Sequence, residues 1–300
     1  MSLSEPTTFQ WIQSLLEPGV LLAFAMTSYA KVSLEAIFRR GQILAPLLRS
    51  EHLRSEAFAR FWISFTAPQD GTPNTAAQDS AAAAPSTPQN SGDLIPPLLA
   101  RASGTVLDIG PGSGTQMPYL RSPAIRAIYG AEPCVDLHGE LRASAQRAGL
   151  GDDKYRIVPS SVVAAELLPA LQKDGVVPAG TTSVDDLRAN GGGVFDTIVC
   201  VRVLCSVPEM EKTVAELYAL LRPGGKMLVT EHVVNPWRTA KGSFVARFMQ
   251  SLYQALGWSW FLGDCCLTRD TGEVLRKAAE VDGGWEVADL ERSFGRSPLS

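Results

Sequence analysis

The stretch Val106-Leu107-Asp108-Ile109-Gly110-Pro111-Gly112-Ser113-Gly114-Thr115 constrains the fold more than any other part of the 300-residue sequence. A short apolar run ends in a turn with glycine at alternate positions. A buried strand is thus followed by backbone that can turn sharply and approach a ligand where any Cβ would collide. A dinucleotide site of the form G-x-G-x-x-G requires glycine at position 115, and Thr115 stands there instead. Asp108, just before the first glycine, suits a cationic amino-acid moiety better than a pyrophosphate. Glu132 ends the next predicted strand about 20 residues on, where doubly wound folds place the carboxylate that accepts ribose hydroxyls. A plain tight turn and an exposed strand-end acid are the competing explanations of the two signals.

The pattern beyond residue 94 alternates strand and helix. Strands are predicted over 105–109, 127–131, Tyr155–Val158, Phe195–Val201 and 226–230, and helices over 135–148 and 209–221, the last stopped by Arg222-Pro223-Gly224-Gly225. This alternation predicts a doubly wound α/β fold, a parallel sheet covered by helices on both faces. The sequence is 45% hydrophobic and 19% charged, which supports one sizeable domain with appendages.

Two segments precede that domain. Residues 1–66 read as a helical extension with an uncharged run from Pro18 to Ala30, bounded by Glu17 and Lys31. The run is too short and too closely flanked by charge for a clean spanning helix or signal peptide. Its apolar side predicts a helix that lies on a membrane surface, caps the catalytic cleft, or packs on its own domain. Residues 67–93, rich in Pro, Ala, Ser, Gln, Asn and Thr, read as a low-complexity linker, and 94–300 as the ligand-binding domain.

Other classes are disfavoured. A net charge of -4 without a long Lys/Arg block gives no electrostatic footprint for nucleic acid. Five cysteines without C-x-x-C spacing and three scattered histidines do not predict a metal site.

From Asp108 through Gly225 the sequence resembles the class I S-adenosylmethionine-dependent methyltransferases in its glycine motif, second-strand acid and Leu-Arg-Pro-Gly-Gly turn. The resemblance implies S-adenosylmethionine as cofactor, with Asp108 near the methionine amino group, Gly110, Gly112 and Gly114 against the ligand, Glu132 on the ribose, and Ser160 and Ser161 bordering adenine. Three further strings, Cys200 to Val207, Glu231-His232-Val233 and Asp264 to Arg269, resemble the microsomal alkyl thiol methyltransferases of animals and their fungal relatives. That narrower resemblance implies a small lipophilic acceptor, a thiol or a hydroxyl, in secondary metabolism or detoxification, and a cytoplasmic or membrane-peripheral location. A methyltransferase fold kept as a non-catalytic binding or regulatory module is the alternative, and a nicotinamide-dependent oxidoreductase is disfavoured by Thr115.

Ligands of open α/β sheets collect at the carboxyl edge, where Arg202, Cys205, Glu231 and His232 are expected. His232 is the candidate general base and Glu231 its companion, with structural hydrogen bonding the competing role for the histidine. The apolar, aromatic stretch 248–261 is expected to wall a lipophilic pocket or to pack against the amino-terminal helix. The family resemblance implies a seven-stranded sheet of order 3-2-1-4-5-7-6. Residues 285–290 are a candidate sixth strand. Residues 292–300, with Gly295 and Pro298, offer no regular seventh, so a chain truncated relative to its relatives is expected.

Overall fold

The computed structural model describes residues 7–67, 90–189 and 191–299, and residues 68–89 of the expected linker lie outside the described residues. In chain order the helices are α1 (Thr8–Phe38), α2 (Ala45–Leu48), α3 (Ser50–Thr66), α4 (Ile95–Leu99), α5 (His138–Arg147), α6 (Ala164–Lys173), α7 (Val184–Ala189), α8 (Met210–Leu220), α9 (Phe244–Ala255), α10 (Trp258–Phe261) and α11 (Thr271–Ala278). The strands are β1 (Gly104–Ile109), β2 (Ile125–Ala131), β3 (Tyr155–Val158), β4 (Phe195–Val201) and β5 (Leu221–Thr230). Contacts divide the chain into two compact units: Pro68–Glu231 with Thr271–Leu290, and Met1–Ala67 with His232–Asp270 and Glu291–Ser300. This grouping differs from the expected blocks 1–66, 67–93 and 94–300, because two later segments cluster with the amino-terminal helices.

The first unit holds a five-stranded, wholly parallel sheet of order β3-β2-β1-β4-β5. Successive side chains of a strand point to opposite faces, and both faces here are buried. Leu107, Ile109, Ile198 and Cys200 pack into one apolar layer with α6 and α8 residues, and Val106, Ile128, Tyr155 and Val199 into the other with Leu141 and Ala145 of α5. Strand order reverses between β2-β1 and β1-β4, which creates a crevice at the carboxyl ends where ligands of such sheets bind.

The expected sixth strand is not formed. Residues 285–290 are irregular, because they have no pairing partner among the described residues and the pattern's largest side chain is engaged elsewhere. The Trp285 indole donates to the Leu275 carbonyl at 2.6 Å and packs edge-on against Tyr218 at 4.9 Å, while Val287 and Leu290 are exposed. No seventh strand is present among the described residues. Among the described residues the edge of β5 therefore lacks the sixth and seventh strands of the 3-2-1-4-5-7-6 order.

In the second unit α1 begins at a capping box between Thr7 and Gln10 and runs antiparallel to α3. Phe24 meets Phe61 edge-on at 5.4 Å, the Ser28 hydroxyl donates to the Ala57 carbonyl at 2.9 Å, and Arg60 pairs with Glu35 at 2.8 Å. The aromatic stretch 248–261 forms α9 and α10, and it packs against α1: the Tyr253 hydroxyl donates to the Leu15 carbonyl at 2.8 Å, and Tyr29 meets Phe261 at 5.8 Å.

Two buried amides tie the carboxyl-terminal segment into this unit. Gln250 accepts from the Asn235 amide at 2.9 Å and donates to the Val233 and Pro298 carbonyls at 3.0 and 2.9 Å. Asn235 donates to the Gly295 carbonyl at 2.7 Å and accepts from the Ser243 amide at 2.8 Å. Replacing Gln250 by leucine keeps the volume but strands one buried donor and two acceptors. The expected loss is about 3 kcal/mol of unfolding free energy, read from urea denaturation, and a loss under about 0.5 kcal/mol, the size of an ordinary surface substitution, would show the network to be dispensable.

Candidate active site

The glycine turn leaves β1 with Gly110, Gly112 and Gly114 all in the left-handed region, at φ of 56°, 61° and 80°. Space as well as conformation demands glycine at two of them. A Cβ on Gly110 would sit 2.5 Å from Val203 Cγ2, and one on Gly114 2.8 Å from Ser144 Cβ. The turn is fixed from outside by the Ser144 hydroxyl, which donates to the Ser113 carbonyl at 2.7 Å.

Glu132 bridges the turn to the end of β2. One carboxylate oxygen accepts from the Gly112 amide and the other from the Cys134 amide, each at 2.9 Å. Each oxygen can accept two hydrogen bonds, so one acceptor position remains on each for vicinal hydroxyls. Burial pushes the Glu132 carboxyl up, and the two amides pull it back. His138 binds the Glu132 carbonyl through Nε2 at 2.8 Å and so fixes the start of α5 beside it.

Asp108 is fully buried at the level of Gly130 in β2 and Val199 in β4. Its neighbours are Gln116 Nε2, 3.4 Å from both oxygens, and the Tyr155 hydroxyl at 3.2 Å. Burial raises the Asp108 carboxyl to about 7, against the pull of those two donors and with a further push from Glu132. No lysine or arginine pairs with Asp108 or Glu132 among the described residues. Two buried carboxylates without a cation are costly, and a ligand carrying positive charge would relieve that cost. Cradle and charge therefore both fit a cationic amino acid joined to a ribose.

Ser160 and Ser161 follow β3 at the same edge. The Ser160 hydroxyl donates to the Ser161 carbonyl and the Ser161 hydroxyl to Glu166, at 2.8 and 2.7 Å. Both hydroxyl protons are engaged within the protein, which leaves backbone and lone pairs to face a ligand.

Glu231, at the end of β5, takes up a different task from the one its position suggests. Its carboxylate accepts from the amides of Val203, Leu204 and Cys205 at 2.7, 2.8 and 3.4 Å. It thereby holds the turn after β4, where Arg202 lies at φ 55°, and it sets Val203 against Gly110. Burial of the carboxyl group keeps it well above the ordinary range, against the pull of the three amides. His232 belongs to the other compact unit, and its Nδ1 is shielded from solvent without a hydrogen-bond partner among the described residues. Sequence reasoning passed over Tyr155, Gln116 and His138. The signal for Tyr155 was Gly130, an isolated glycine inside a strand, which marks a close approach.

A family model described as a methyltransferase domain matches residues 83–277. The chain belongs to the methyltransferase domain family. It carries a class I methyltransferase domain, and the cofactor of that family is S-adenosylmethionine. Among curated proteins, the thiol S-methyltransferases TMT1B and TMT1A of Homo sapiens are 37% and 33% identical over 94 and 104 residues, 31% and 35% of this chain. A ubiquinone biosynthesis O-methyltransferase of Xanthomonas oryzae pv. oryzae is 29% identical over 138 residues, 46% of this chain. The matched regions span 36%, 38% and 47% of those relatives' own length. Among solved structures, an O-methyltransferase family protein from Burkholderia thailandensis aligns with TM-score 0.47 and 15% identity over 94% of this chain and 69% of that one. PigF with SAH aligns with TM-score 0.44 and 15% identity over 93% and 69%.

Substitution of the methyltransferase at two points tests the cradle. Glu132→Ala removes charge-assisted acceptors, and the affinity for S-adenosylmethionine is expected to fall by about 1.5 to 3 kcal/mol. Gly112→Val places a branched side chain at φ 61° against the ligand and is expected to abolish measurable binding. Unchanged calorimetric affinity in both folded variants would remove the assignment.

Proposed function

We propose that this methyltransferase transfers a methyl group to a small lipophilic acceptor, a thiol before a hydroxyl, while associated peripherally with a membrane surface. The observation that carries the choice of acceptor is the engagement of Glu231. Its carboxylate is turned onto three backbone amides, so the strand-end acid is not placed as a general base. Methyl transfer from a sulfonium is an in-line displacement that needs alignment and exclusion of water more than a dedicated base. A thiol, with an ordinary pKa of about 8.5, supplies some thiolate at neutral pH, whereas an aliphatic alcohol needs stronger assistance. His232 remains the residue for a proton where one must be taken. The strings around Cys205, His232 and Cys265, and the thiol S-methyltransferases among the relatives, support the same choice.

The cofactor-site residues Asp108, Gly110, Gly112, Gly114, Glu132, Ser160 and Ser161 form the donor half in this reading. Purified protein is expected to methylate small alkyl or aryl thiols faster than phenols, and to leave catechols and free amino acids untouched, in a radiolabelled methyl-transfer panel. Methylation of polar acceptors only would sink the acceptor class, and cofactor binding without turnover on any thiol or phenol would favour the non-catalytic alternative.

The amino-terminal helix supports the membrane reading. α1 is long and apolar enough to cross a bilayer, with mean hydropathy 1.4 over its most apolar 18 residues. One side of it packs on α3, and the ion pairs Arg60–Glu35 and Arg40–Glu56 sit in that hairpin. Those charges oppose insertion across hydrocarbon. The other side leaves Phe9, Ile12, Leu16 and Val20 exposed, and Ile43, Leu44, Leu47 and Leu48 continue the apolar surface beside Arg39, Arg40 and Arg49. A helix lying in the interface plane accounts for both sides. Full-length protein is expected to float with anionic vesicles, and Val20→Asp combined with Leu47→Asp to remain in the soluble fraction. Flotation unaffected by the pair of changes would place the contact elsewhere.

A further inference from the structure

Tyr155 stands at the start of the edge strand β3, two strands away from Asp108, yet its hydroxyl reaches the Asp108 carboxylate at 3.2 Å. The route lies along one face of the sheet. Tyr155 pairs in register with Ile128, Gly130 with Ile157, and Asp108 with Gly130, so the ring must pass over Gly130 to arrive at β1. A Cβ on Gly130 would collide with the phenol oxygen and stand 2.7 Å from Cζ. Gly130 has an ordinary strand conformation and no positive φ, so it is the passage of the ring, and no backbone demand, that excludes a side chain there.

The hydroxyl has one task at that depth. Tyr155 and Asp108 are both buried, and burial together with the neighbouring carboxylate keeps the phenol protonated and able to donate. The groups facing Asp108 are Gln116 from the loop after β1, Glu132 at the end of β2, Tyr155 from β3 and the buried Cys200 thiol of β4. Glu132 opposes a charge on Asp108, Cys200 is held neutral by burial, and only Gln116 and Tyr155 favour the ionised form.

We propose that Tyr155 is a positioning residue whose hydroxyl, admitted by Gly130, holds Asp108 as the ionised acceptor for the cationic amino group of S-adenosylmethionine, which makes cofactor affinity fall as pH falls. This rests on the placement of the methionine end at Asp108. The sign follows from the buried carboxyl, which sits at about 7 in the fold. Above that pH Asp108 is a carboxylate ready for the cation; below it the ligand must displace a proton, and affinity drops about tenfold per pH unit. Loss of the amino group's own proton sets the upper limit, at about pH 7.7 to 8.0 for an ordinary α-amine.

The experiment is calorimetric titration of the whole chain with S-adenosylmethionine at a series of pH values from about 5.5 to 8, on the unmutated protein, Tyr155→Phe and Gly130→Ala. The unmutated protein is expected to lose affinity below pH 7. Tyr155→Phe is expected to move that fall upward by about one pH unit, so that binding near pH 6 is about tenfold weaker while binding near pH 8 changes little. Gly130→Ala, which displaces the ring, is expected to follow it. A loss equal at every pH would mark Tyr155 as merely structural and overturn the proposal, as would a flat profile in the unmutated protein. Carbon-13 spectra of the cofactor-free, unmutated protein give an answer that needs no variant: one aspartate carboxyl titrating near pH 7 supports it, and none above about pH 5.5, beyond the usual carboxylate range, overturns it. Absence of binding at any pH would instead refute the cofactor placement itself.

Discussion

Negative charge buried at the carboxyl ends of β1 and β2 is the constraint around which the rest of the sheet-bearing unit is arranged. Asp108 and Glu132 lie close enough to raise one another's cost of ionisation, and neither has a cationic partner among the described residues. Such a pair persists only when surrounding donors hold it, and the donors come from four places. The glycine turn and Cys134 supply amides to Glu132, while Gln116 and the far hydroxyl of Tyr155 supply Asp108. The contacts of Gly112 with Glu132 and of Tyr155 with Asp108 require the parallel order β3-β2-β1 in its observed register. Site chemistry and fold are thus coupled: a ligand's positive charge would supply the counter-charge that the protein withholds.

A third carboxylate, that of Glu231, shows the same physics serving shape. It accepts from three consecutive amides of the turn after β4, and that turn sets Val203 against Gly110. The turn at the carboxyl end of β1 is therefore braced from two strands, β2 through Glu132 and β5 through Glu231. Each brace is a carboxylate held by two or more backbone amides, so little conformational freedom is left to lose when a ligand arrives.

Much of this was legible in the sequence because its signals are local. The glycine spacing after 105–109, the acid at 132 and the helix stop at 222–225 each express a backbone requirement of nearby residues, and three strand predictions overlap β1, β2 and β5 while Tyr155–Val158 and Phe195–Val201 coincide with β3 and β4. What remained hidden depends on residues far apart in the chain. Tyr155 reads as an ordinary apolar strand residue until its register beside Gly130 is known. Glu231 reads as the companion of a candidate base at the sheet edge until the turn after β4 folds onto it. The alternation at 285–290 resembles a strand, but a strand exists only when another pairs with it, and Trp285 instead finds Leu275 and Tyr218. The aromatic stretch 248–261 was readable as apolar and its packing against α1 was one of two expected outcomes. The apolar side of α1 was readable too, whereas the ion pairs that join α1 and the segment just after it to α3 were not, since they link residues separated by a loop.

The central claim is that the crevice at β1 and β2 is built for a ligand with a positive charge and a ribose, and not for a dinucleotide. A pair of calorimetric titrations measures this most directly: the whole chain at neutral pH is titrated with S-adenosylmethionine and, separately, with the oxidised nicotinamide dinucleotide. The account predicts saturable binding of S-adenosylmethionine at a single site and no heat from the dinucleotide. Binding of the dinucleotide with none of S-adenosylmethionine would contradict it.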